Sequence, residues 1–529
     1  MRRIITVCLA LIALGLATTF LYGSWSQPPP QTKLDLAQTN LALEAVTVLD
    51  NPDYSSIAAP LLDSEGISVA TQRYEEAIAA SASRLATTPP AARSSGQQTS
   101  LDELRLRDGL LLAKEEKLVQ AQDSWKAIQS ETLQPVAGTL DAVFSGELSQ
   151  IAPNAEQLIQ EELDGWFEFF ALQNLYERQQ RLDVLQVLET QQEDVAVGAL
   201  NRLLVLAGGP LLGALVGLIL LVVWGIGMVL GKWPALGERW SVPWDIETTV
   251  VVMSVWFIAY LLVGLFVPGI LVSLLGASPR DLGYVQQAIA LAVTYAAGAA
   301  VGFFMVFSTA RSYLQRSSAP NLDVSPNLNA PNLDAASLDE TSLDKASASL
   351  EDASDPQSPS SIETGDGTAE EPIFRTQLSG KWPLWGVGGY FAALPLVVLA
   401  GIIAQQLLPQ SGGGNPILPI ILESQGWVPG GIFLLVVSVM APLFEETLFR
   451  GFLLPSLTRV MPVWGAIAIS AVLFAVVHLN VSDLLPLTTL GIVLGVVYSR
   501  SRNLLAPMLL HSCWNAGSFA ALTLLSSGN

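Results

Sequence analysis

The chain has 529 residues, of which 51% are hydrophobic and only 14% charged, and its formal net charge is −21. This composition is too apolar for a water-soluble protein of this length and indicates a membrane protein. The excess of acidic residues argues against nucleic-acid binding, which needs clustered lysine and arginine. The two cysteines, Cys8 and Cys513, both lie in apolar runs, so the sequence offers neither a disulfide framework nor a cysteine-based zinc site.

The N-terminal part combines one apolar run with a long polar segment. Residues 1–23 have a basic start, Arg2 and Arg3, and are predicted to be a signal anchor or a signal peptide. Residues 24–201 are polar, and their second half places apolar residues at spacings of three and four. This pattern predicts an α-helical extracytoplasmic domain, for which the sequence identifies no partner.

The rest of the chain alternates between membrane and polar character. Residues 202–311 contain three apolar runs, each long enough for the roughly 20 residues that a spanning helix needs. Residues 312–381 are predicted to be a disordered acidic cytoplasmic linker, since positions 317–372 carry twelve acidic residues and one basic residue. Residues 382–529 return to apolar character with five further runs. The expected fold is therefore an all-α, polytopic membrane helical bundle with about nine spans.

Basic residues give an independent prediction of topology, because cytoplasmic loops hold the excess of lysine and arginine. With the N-terminus inside, the inner loops contain Arg2, Arg3, Lys232, Arg239, Arg311, Arg316, Arg375, Lys381, Arg459, Arg500 and Arg502. The short outer loops contain only Arg280. We therefore expect an integral multi-pass protein with a cytoplasmic N-terminus and residues 24–201 outside. A bacterial cytoplasmic membrane is the expected location, with a thylakoid-type membrane as the alternative.

One apolar run, from Met440 to Pro455, carries three charged residues. A charged residue at the centre of a membrane helix costs about 2.5–3.5 kcal/mol on insertion scales, so the cluster needs a reason. Glu446 and Arg450 are four residues apart with the acid first, the favourable order for an ion pair within a helix. Glu445 projects about 100° away around the helix and has no such partner. It is therefore the candidate general base.

The only two histidines of the chain, His478 and His511, lie in the apolar runs that follow. His511 and Asn515 are four residues apart, so both project from one face of the last helix. A glutamate, two histidines and an asparagine can activate a water molecule and stabilise the oxyanion that forms when it attacks an amide. In this hypothesis Glu445 takes the proton of the water with help from His478, while His511 and Asn515 donate hydrogen bonds to the oxyanion.

Three short motifs contain these residues. Residues 445–450 match EExxxR, Phe474 and His478 match FxxxH, and His511 and Asn515 match HxxxN. In this order on successive apolar runs, the chain resembles the CPBP family of intramembrane endopeptidases, which includes the CAAX prenyl proteases and the Abi-type, bacteriocin-processing proteins. The likeness covers roughly residues 427–525.

The resemblance implies a glutamic-type endopeptidase that uses no metal or other cofactor and cleaves a membrane-associated protein or peptide. Glu445 and His478 occupy the positions of the water-activating pair, and His511 and Asn515 those of the oxyanion contacts. Glu446, Arg450 and Phe474 are expected to have supporting roles.

Three alternatives stay open. Glu445, His478 and His511 are an acceptable set of zinc ligands, although the chain has no HExxH motif. A catalytically inactive membrane scaffold or immunity-type binding protein could keep the motifs for structural reasons. A transporter could use buried carboxylates and histidines to relay protons, but no paired, Gly/Pro-broken half-helices support that hypothesis.

Overall fold

The computed structural model describes residues 1–25, 31–59, 62, 66–87, 95–146, 148–232, 236, 239–274, 282–317, 374–408 and 426–526. Within these ranges the structure contains helices and no β-strand, which confirms the predicted all-α class. The α-helices, in chain order, are α1 (Arg2–Trp25), α2 (Gln31–Ala45), α3 (Ser55–Ala58), α4 (Gly66–Thr87), α5 (Ser95–Lys114), α6 (Leu118–Lys126), α7 (Gln134–Ser145), α8 (Ala155–Glu162), α9 (Gly165–Gln179), α10 (Leu182–Val229), α11 (Ile246–Leu274), α12 (Tyr284–Ser317), α13 (Trp382–Leu407), α14 (Trp427–Leu457), α15 (Val463–Val476), α16 (Leu484–Ser501) and α17 (Leu505–Ser526).

Helices α4 to α9 pack around a core rich in aromatic side chains. Trp166 and Phe170 stack with ring centroids 5.0 Å apart, and Phe144 contacts Phe170 at 5.6 Å. Trp125 continues the row at 5.7 Å from Phe144. Such ring pairs add about 0.5–1.5 kcal/mol each beyond the area that they bury. The polar N-terminal segment thus has its own hydrophobic core and does not depend on disulfide bonds.

A buried carboxylate in this unit has an unusual proton affinity. Asp108 on α5 accepts a hydrogen bond of 2.9 Å from the Ser124 hydroxyl on α6, and its side chain is almost completely buried. Burial penalises the charged form and raises the pKa of Asp108 to about 6. The unit is therefore expected to respond to pH in the range where this carboxyl titrates.

Helix α10 runs from the polar segment into the apolar one without interruption. Its 48 residues correspond to a length of about 72 Å at 1.5 Å per residue. The predicted domain boundary between residues 201 and 202 therefore falls inside a continuous helix. The polarity of the sequence changes at this point, but the helix continues through it. The change in composition therefore marks a change of environment and not the end of a helix.

The N-terminal unit and the last helix meet in one apolar cluster, which we call the junction cluster. It consists of Leu41, Ala45, Val48, Ala58, Leu62, Ala196, Ala199, Leu200 and Leu525. Beside it, Arg202 of α10 donates to Glu44 of α2 over 2.8 Å, and this glutamate is almost fully buried. The end of α17 is thus packed against helices that begin the chain's polar segment.

The expectation of about nine spans can be compared with helix length and composition. Seven helices in the described ranges are long and apolar enough to cross a membrane: α1, α10, α11, α12, α13, α14 and α16. The other two predicted spans are also helical, but α15 has only 14 residues and α17 carries His511 and Asn515. The polytopic helical bundle is confirmed, and the chain is an integral multi-pass membrane protein.

Helix α1 contacts the bundle near both of its ends. At its start, Arg2 pairs with Asp245, just before α11, and Arg3 pairs with Glu247 in the first turn of α11, each over 3.0 Å. Near its end, the Ser24 hydroxyl accepts a hydrogen bond of 3.3 Å from the backbone N–H of Val481. Through these contacts α1 packs as one helix of the bundle, which supports the signal-anchor alternative. The predicted acidic linker falls largely on residues 318–373, which lie outside the described residues.

Close packing of α15 against α16 depends on small residues. A side-chain carbon added at Gly491 would lie 2.9 Å from the backbone of Ala471, and one at Gly495 would lie 2.9 Å from Ile467. Small residues let membrane helices approach closely. This approach places Phe474 near the end of α15 and Gly491 in the middle of α16 beside Arg450 of α14.

Candidate active site

Helix α14 carries the three charged residues and has an irregular backbone on both sides of them. Residues 436–440 and 447–453 are π-helical, and the six residues Ala441–Glu446 between them are α-helical. Each π-helical stretch ends two residues before a proline, the first before Pro442 and the second before Pro455. Proline lacks the N–H for the usual helical hydrogen bond and its ring crowds the preceding turn, which a locally wider helix relieves. The prolines could have indicated this irregularity from the sequence, but the register of the side chains could not be inferred from them.

Glu446, Arg450 and His511 form the fully buried part of the site. An Nη1 of Arg450 donates to Glu446 Oε1 over 2.8 Å, as the spacing of four predicts. The same carboxylate oxygen lies 2.8 Å from Nδ1 of His511 on α17. Because a carboxylate only accepts hydrogen bonds, this nitrogen is the donor. Glu446 therefore neutralises an arginine and also orients a histidine, a contact that helical spacing alone did not predict.

Phe474 on α15 is the common neighbour of three site residues. The Arg450 guanidinium lies 4.5 Å from the centre of its ring, a cation–π contact. The rings of His478 and His511 meet the Phe474 ring edge to face, with centroids 5.0 and 5.8 Å away. Arg450 also donates to the backbone carbonyl of Gly491 on α16 over 3.1 Å. The motif phenylalanine thus packs between the cation and both histidines.

Glu445 faces a different side of α14 from Glu446, as helical geometry predicts. Its Oε2 lies 3.9 Å from Nε2 of His511, and its side chain keeps 16% exposure. Its other oxygen, Oε1, accepts a hydrogen bond of 3.1 Å from the Tyr295 hydroxyl on α12. The carboxylate is therefore not without a partner, because a helix outside the motif region supplies one.

His478 contacts the site through Phe474. Its Nδ1 lies 2.7 Å from the backbone carbonyl of Phe474, and since a carbonyl only accepts, Nδ1 carries the proton. In the neutral ring Nε2 is then left as a proton acceptor. In the described part of the chain, no hydrogen bond joins His478 to Glu445. The predicted cooperation of these two residues thus has no direct contact in this structure.

Asn515 projects from α17 toward the first π-helical stretch of α14. Its side-chain amide donates to the backbone carbonyl of Val437 over 2.6 Å. An asparagine amide has two N–H groups, so one donor is left for another acceptor. The structure therefore brings Asn515 to the same helix as Glu445 and leaves it able to donate a hydrogen bond.

The zinc alternative can be compared with these positions. Among the residues that the structure describes, no three His, Cys, Asp or Glu side chains come together as a group that could hold a metal ion. Nδ1 of His511 is engaged by Glu446, and Nδ1 of His478 by a backbone carbonyl. Glu445, His478 and His511 are thus not gathered around one point.

Comparison with known proteins finds matches in the same region of the chain. The family described as "Type II CAAX prenyl endopeptidase Rce1-like" matches residues 427–517. This range contains Glu445, His478, His511 and Asn515, and leaves out Tyr295. A Bacillus subtilis protein named "Putative membrane peptidase YdiL" is 29% identical over 135 residues, which cover 25% of this chain and 53% of the relative.

Residues 427–517 are thus similar to the CPBP family of proteases, which confirms the resemblance that the three motifs indicated. Two other relatives match this chain over shorter stretches. The UPF0177 protein YxdF of Lactococcus lactis is 36% identical over 93 residues, covering 17% of this chain and 51% of its own length. An Escherichia coli protein named "Uncharacterized 24.3 kDa protein" is 39% identical over 83 residues, covering 15% and 38%. The chain spans about half the length, or less, of these relatives, and no solved structure matches it.

Proposed function

We propose that the protein is a glutamic-type intramembrane endopeptidase that hydrolyses a peptide bond of a membrane-associated protein or peptide. One observation carries the proposal: Glu445 Oε2 and His511 Nε2 face each other across 3.9 Å in a largely buried site. Both atoms accept hydrogen bonds when Nδ1 of His511 donates to Glu446. A water molecule has two O–H donors and can bridge two acceptors at this separation. The site is thus suited to hold and orient an attacking water.

The reaction follows from these positions. The water oxygen forms a bond to the carbonyl carbon of the substrate, while its proton passes to Glu445, a step that commonly contributes about 10²- to 10⁴-fold. The remaining N–H of Asn515 donates to the oxyanion, a contact whose loss commonly costs about 10²- to 10³-fold. When the C–N bond breaks, the proton held by Glu445 passes to the leaving amine. The products are a carboxylic acid and an amine, and Glu445 is again a carboxylate.

The two histidines differ in what they offer to this reaction. Nε2 of His511 faces the proposed water and donates to an oxyanion only after that nitrogen has received a proton. The resulting imidazolium would be stabilised by Glu446 at Nδ1, as a carboxylate does in other hydrolases. Nε2 of His478 is available as a proton acceptor and could help Glu445 only if the substrate or a water bridges the two residues.

The same hypothesis includes the arrangement in the membrane. We propose that residues 24–201 form an extracytoplasmic domain, that residues 312–381 are a cytoplasmic linker, and that residues 382–529 form the protease domain. The supporting observation is the distribution of lysine and arginine over alternate loops. A bacterial cytoplasmic membrane suits this topology.

Comparative proteomics of membrane fractions tests the function. Cells with the intact protein are compared with cells that carry Glu445→Gln, which keeps the size of the side chain but cannot take the proton. The matched control is Glu247→Gln, which removes a carboxylate at the partly exposed start of α11. We expect uncut membrane proteins or peptides to accumulate with Glu445→Gln alone. Unchanged cleavage and cellular function in that variant, at normal expression, would favour the scaffold or immunity-type alternative.

A further inference from the structure

We propose that Tyr295 of α12 is a positioning residue of this site, whose hydroxyl holds the carboxylate of Glu445 in the orientation that leaves Oε2 directed at His511. The inference rests on the proposed function, since it assigns a holder for the proposed general base. The hydroxyl donates to Glu445 Oε1 over 3.1 Å, while Oε2 lies 3.9 Å from His511 Nε2. One oxygen of Glu445 is thus fixed and the other is available to the water.

The position of Tyr295 is set by close packing of α12 on α14. Gly302 lies seven residues after Tyr295 and therefore on the same face of α12. A side-chain carbon at Gly302 would collide with the ring of Phe444, the residue before Glu445, and would come within 3.0 Å of Trp256. The ring of Phe303 also contacts Phe444 edge to face, with centroids 5.3 Å apart. The absence of a side chain at Gly302 lets the two helices approach closely enough for the Tyr295 hydroxyl to reach Glu445.

The hydrogen bond has a chemical consequence for Glu445. A donor that points at one oxygen of a carboxylate occupies that oxygen, fixes the rotation of the group and leaves the other oxygen open. The other titratable or charged groups around Glu445 are Tyr260 of α11, His511 of α17, and Glu446 and Arg450 of α14 itself. Among the described residues, Tyr295 is the side chain within hydrogen-bond distance of Glu445. Its removal should therefore leave the carboxylate of Glu445 without a fixed orientation and its Oε1 open to a reagent.

The inference changes which part of the chain builds the site. Tyr295 lies 150 residues before Glu445, and α12 precedes the segment of residues 427–517 that matches the family. The membrane helices between residues 202 and 311 would then be more than an anchor for the extracytoplasmic domain. They would supply a side chain to the chemistry of a segment that otherwise carries all the motifs.

A carbodiimide probe tests the contact without a substrate. Dicyclohexylcarbodiimide enters membranes and reacts with carboxylic acids in their neutral form, and mass spectrometry locates the modified residue. The full-length protein in lipid nanodiscs is labelled at one fixed pH, with Glu445→Gln to identify the peptide. We expect Tyr295→Phe to increase labelling of Glu445 by about tenfold, because Oε1 is no longer held by a hydrogen bond.

The matched control is Tyr313→Phe on the same helix. The Tyr313 hydroxyl lies 3.0 Å from the Thr248 hydroxyl, far along α12 from the site, so the variant also loses an interhelical hydrogen bond. Equal labelling of Glu445 in Tyr295→Phe and the intact protein would overturn the proposal, and so would an equal increase in Tyr313→Phe. If Tyr295→Phe does not fold, Gly302→Ala decides, because it keeps the hydroxyl but separates the helices. We expect it to increase labelling, and no increase would count against the proposal.

The labelling result and the proteomic result are independent. Increased labelling in Tyr295→Phe, without any substrate that depends on Glu445, would support the contact while contradicting the peptidase. Substrates that accumulate with Glu445→Gln, without any change in labelling, would support the peptidase while contradicting the role of Tyr295.

Discussion

The carboxylate of Glu446 lies 2.8 Å from the guanidinium of Arg450, one helical turn away, and neither side chain is exposed. Breaking a buried pair from one side leaves an uncompensated charge and costs about 3–5 kcal/mol. We therefore predict that Arg450→Met strongly lowers the thermal stability of the protein in detergent. Glu446→Gln combined with Arg450→Met should recover most of the loss, because neither charge remains.

Arg311→Met on the exposed side of α12 is the control for removing one positive charge from a membrane helix. Thermal unfolding of the four proteins, including the intact one, decides the matter. If Arg450→Met were as stable as Arg311→Met, the pair would not have the neutralising role that its burial indicates.

The second prediction concerns pH and the N-terminal unit. Burial raises the pKa of Asp108 to about 6, above its ordinary value of 3.8, so the folded state binds this proton more tightly than the unfolded state. The unit is then most stable below about pH 4 with respect to this group, and loses stability as pH rises toward 6. The loss is at most about 3 kcal/mol, from about two pKa units at 1.36 kcal/mol each.

Asp108→Asn should remove this pH dependence and make α5 and α6 more protected at pH 7. Hydrogen exchange measured by mass spectrometry at pH 5 and pH 7, corrected for intrinsic exchange rates, follows both helices in the full-length protein. Asp123→Asn, on the exposed side of α6, is the matched control. A stability profile for Asp108→Asn that still falls between pH 4 and 6 would show that another group is responsible.

The third prediction concerns metal removal. Because Glu445, His478 and His511 are not gathered as a group that could hold a metal ion, we expect cleavage to continue after treatment with a chelator. The measurement is processing of the substrates found by proteomics, in purified membranes with and without 1,10-phenanthroline, together with the metal content of the purified protein. Lost cleavage that zinc restores would favour the metallopeptidase alternative.

The fourth prediction concerns the N-terminus. Contacts at both ends of α1, from Arg2 to Asp245 and from Val481 to Ser24, are those of a permanent member of the bundle. We predict that residues 1–25 remain in the mature protein. Mass spectrometry of the purified protein should recover peptides from this segment in amounts equal to those from α17. A mature N-terminus between residues 20 and 35 would instead show that the segment is a cleaved signal peptide.

Local spacing was enough to predict part of the site. The ion pair of Glu446 with Arg450 and the shared face of His511 and Asn515 both follow from the helical period, and the structure contains both arrangements. The apolar runs likewise predicted the seven described helices that are long and apolar enough to span a membrane, because burial in lipid requires a long apolar segment, but two of the nine predicted spans, α15 and α17, do not meet that measure. Their ends were less certain, as the continuous α10 shows.

Contacts between distant segments could not be inferred in the same way. Nothing in the local sequence indicates that Tyr295 pairs with Glu445, or that Nδ1 of His511 meets Glu446. These contacts depend on how helices cross, which is set by residues such as Gly302 and Gly491 together with the side chains that fill the space beside them. The π-helical stretches add a further rotation of side chains that a regular helical wheel does not reproduce.

The junction cluster gives α17 a second attachment, at the end opposite its start. Leu525 is buried against Leu41 and Ala199, fourteen residues after His511 and ten after Asn515 on the same continuous helix. A shortened protein without residues 31–200 would expose this apolar surface and would leave the end of the helix unsupported. Residues 382–529 expressed alone would therefore need a polar replacement for Leu525 at the end of α17.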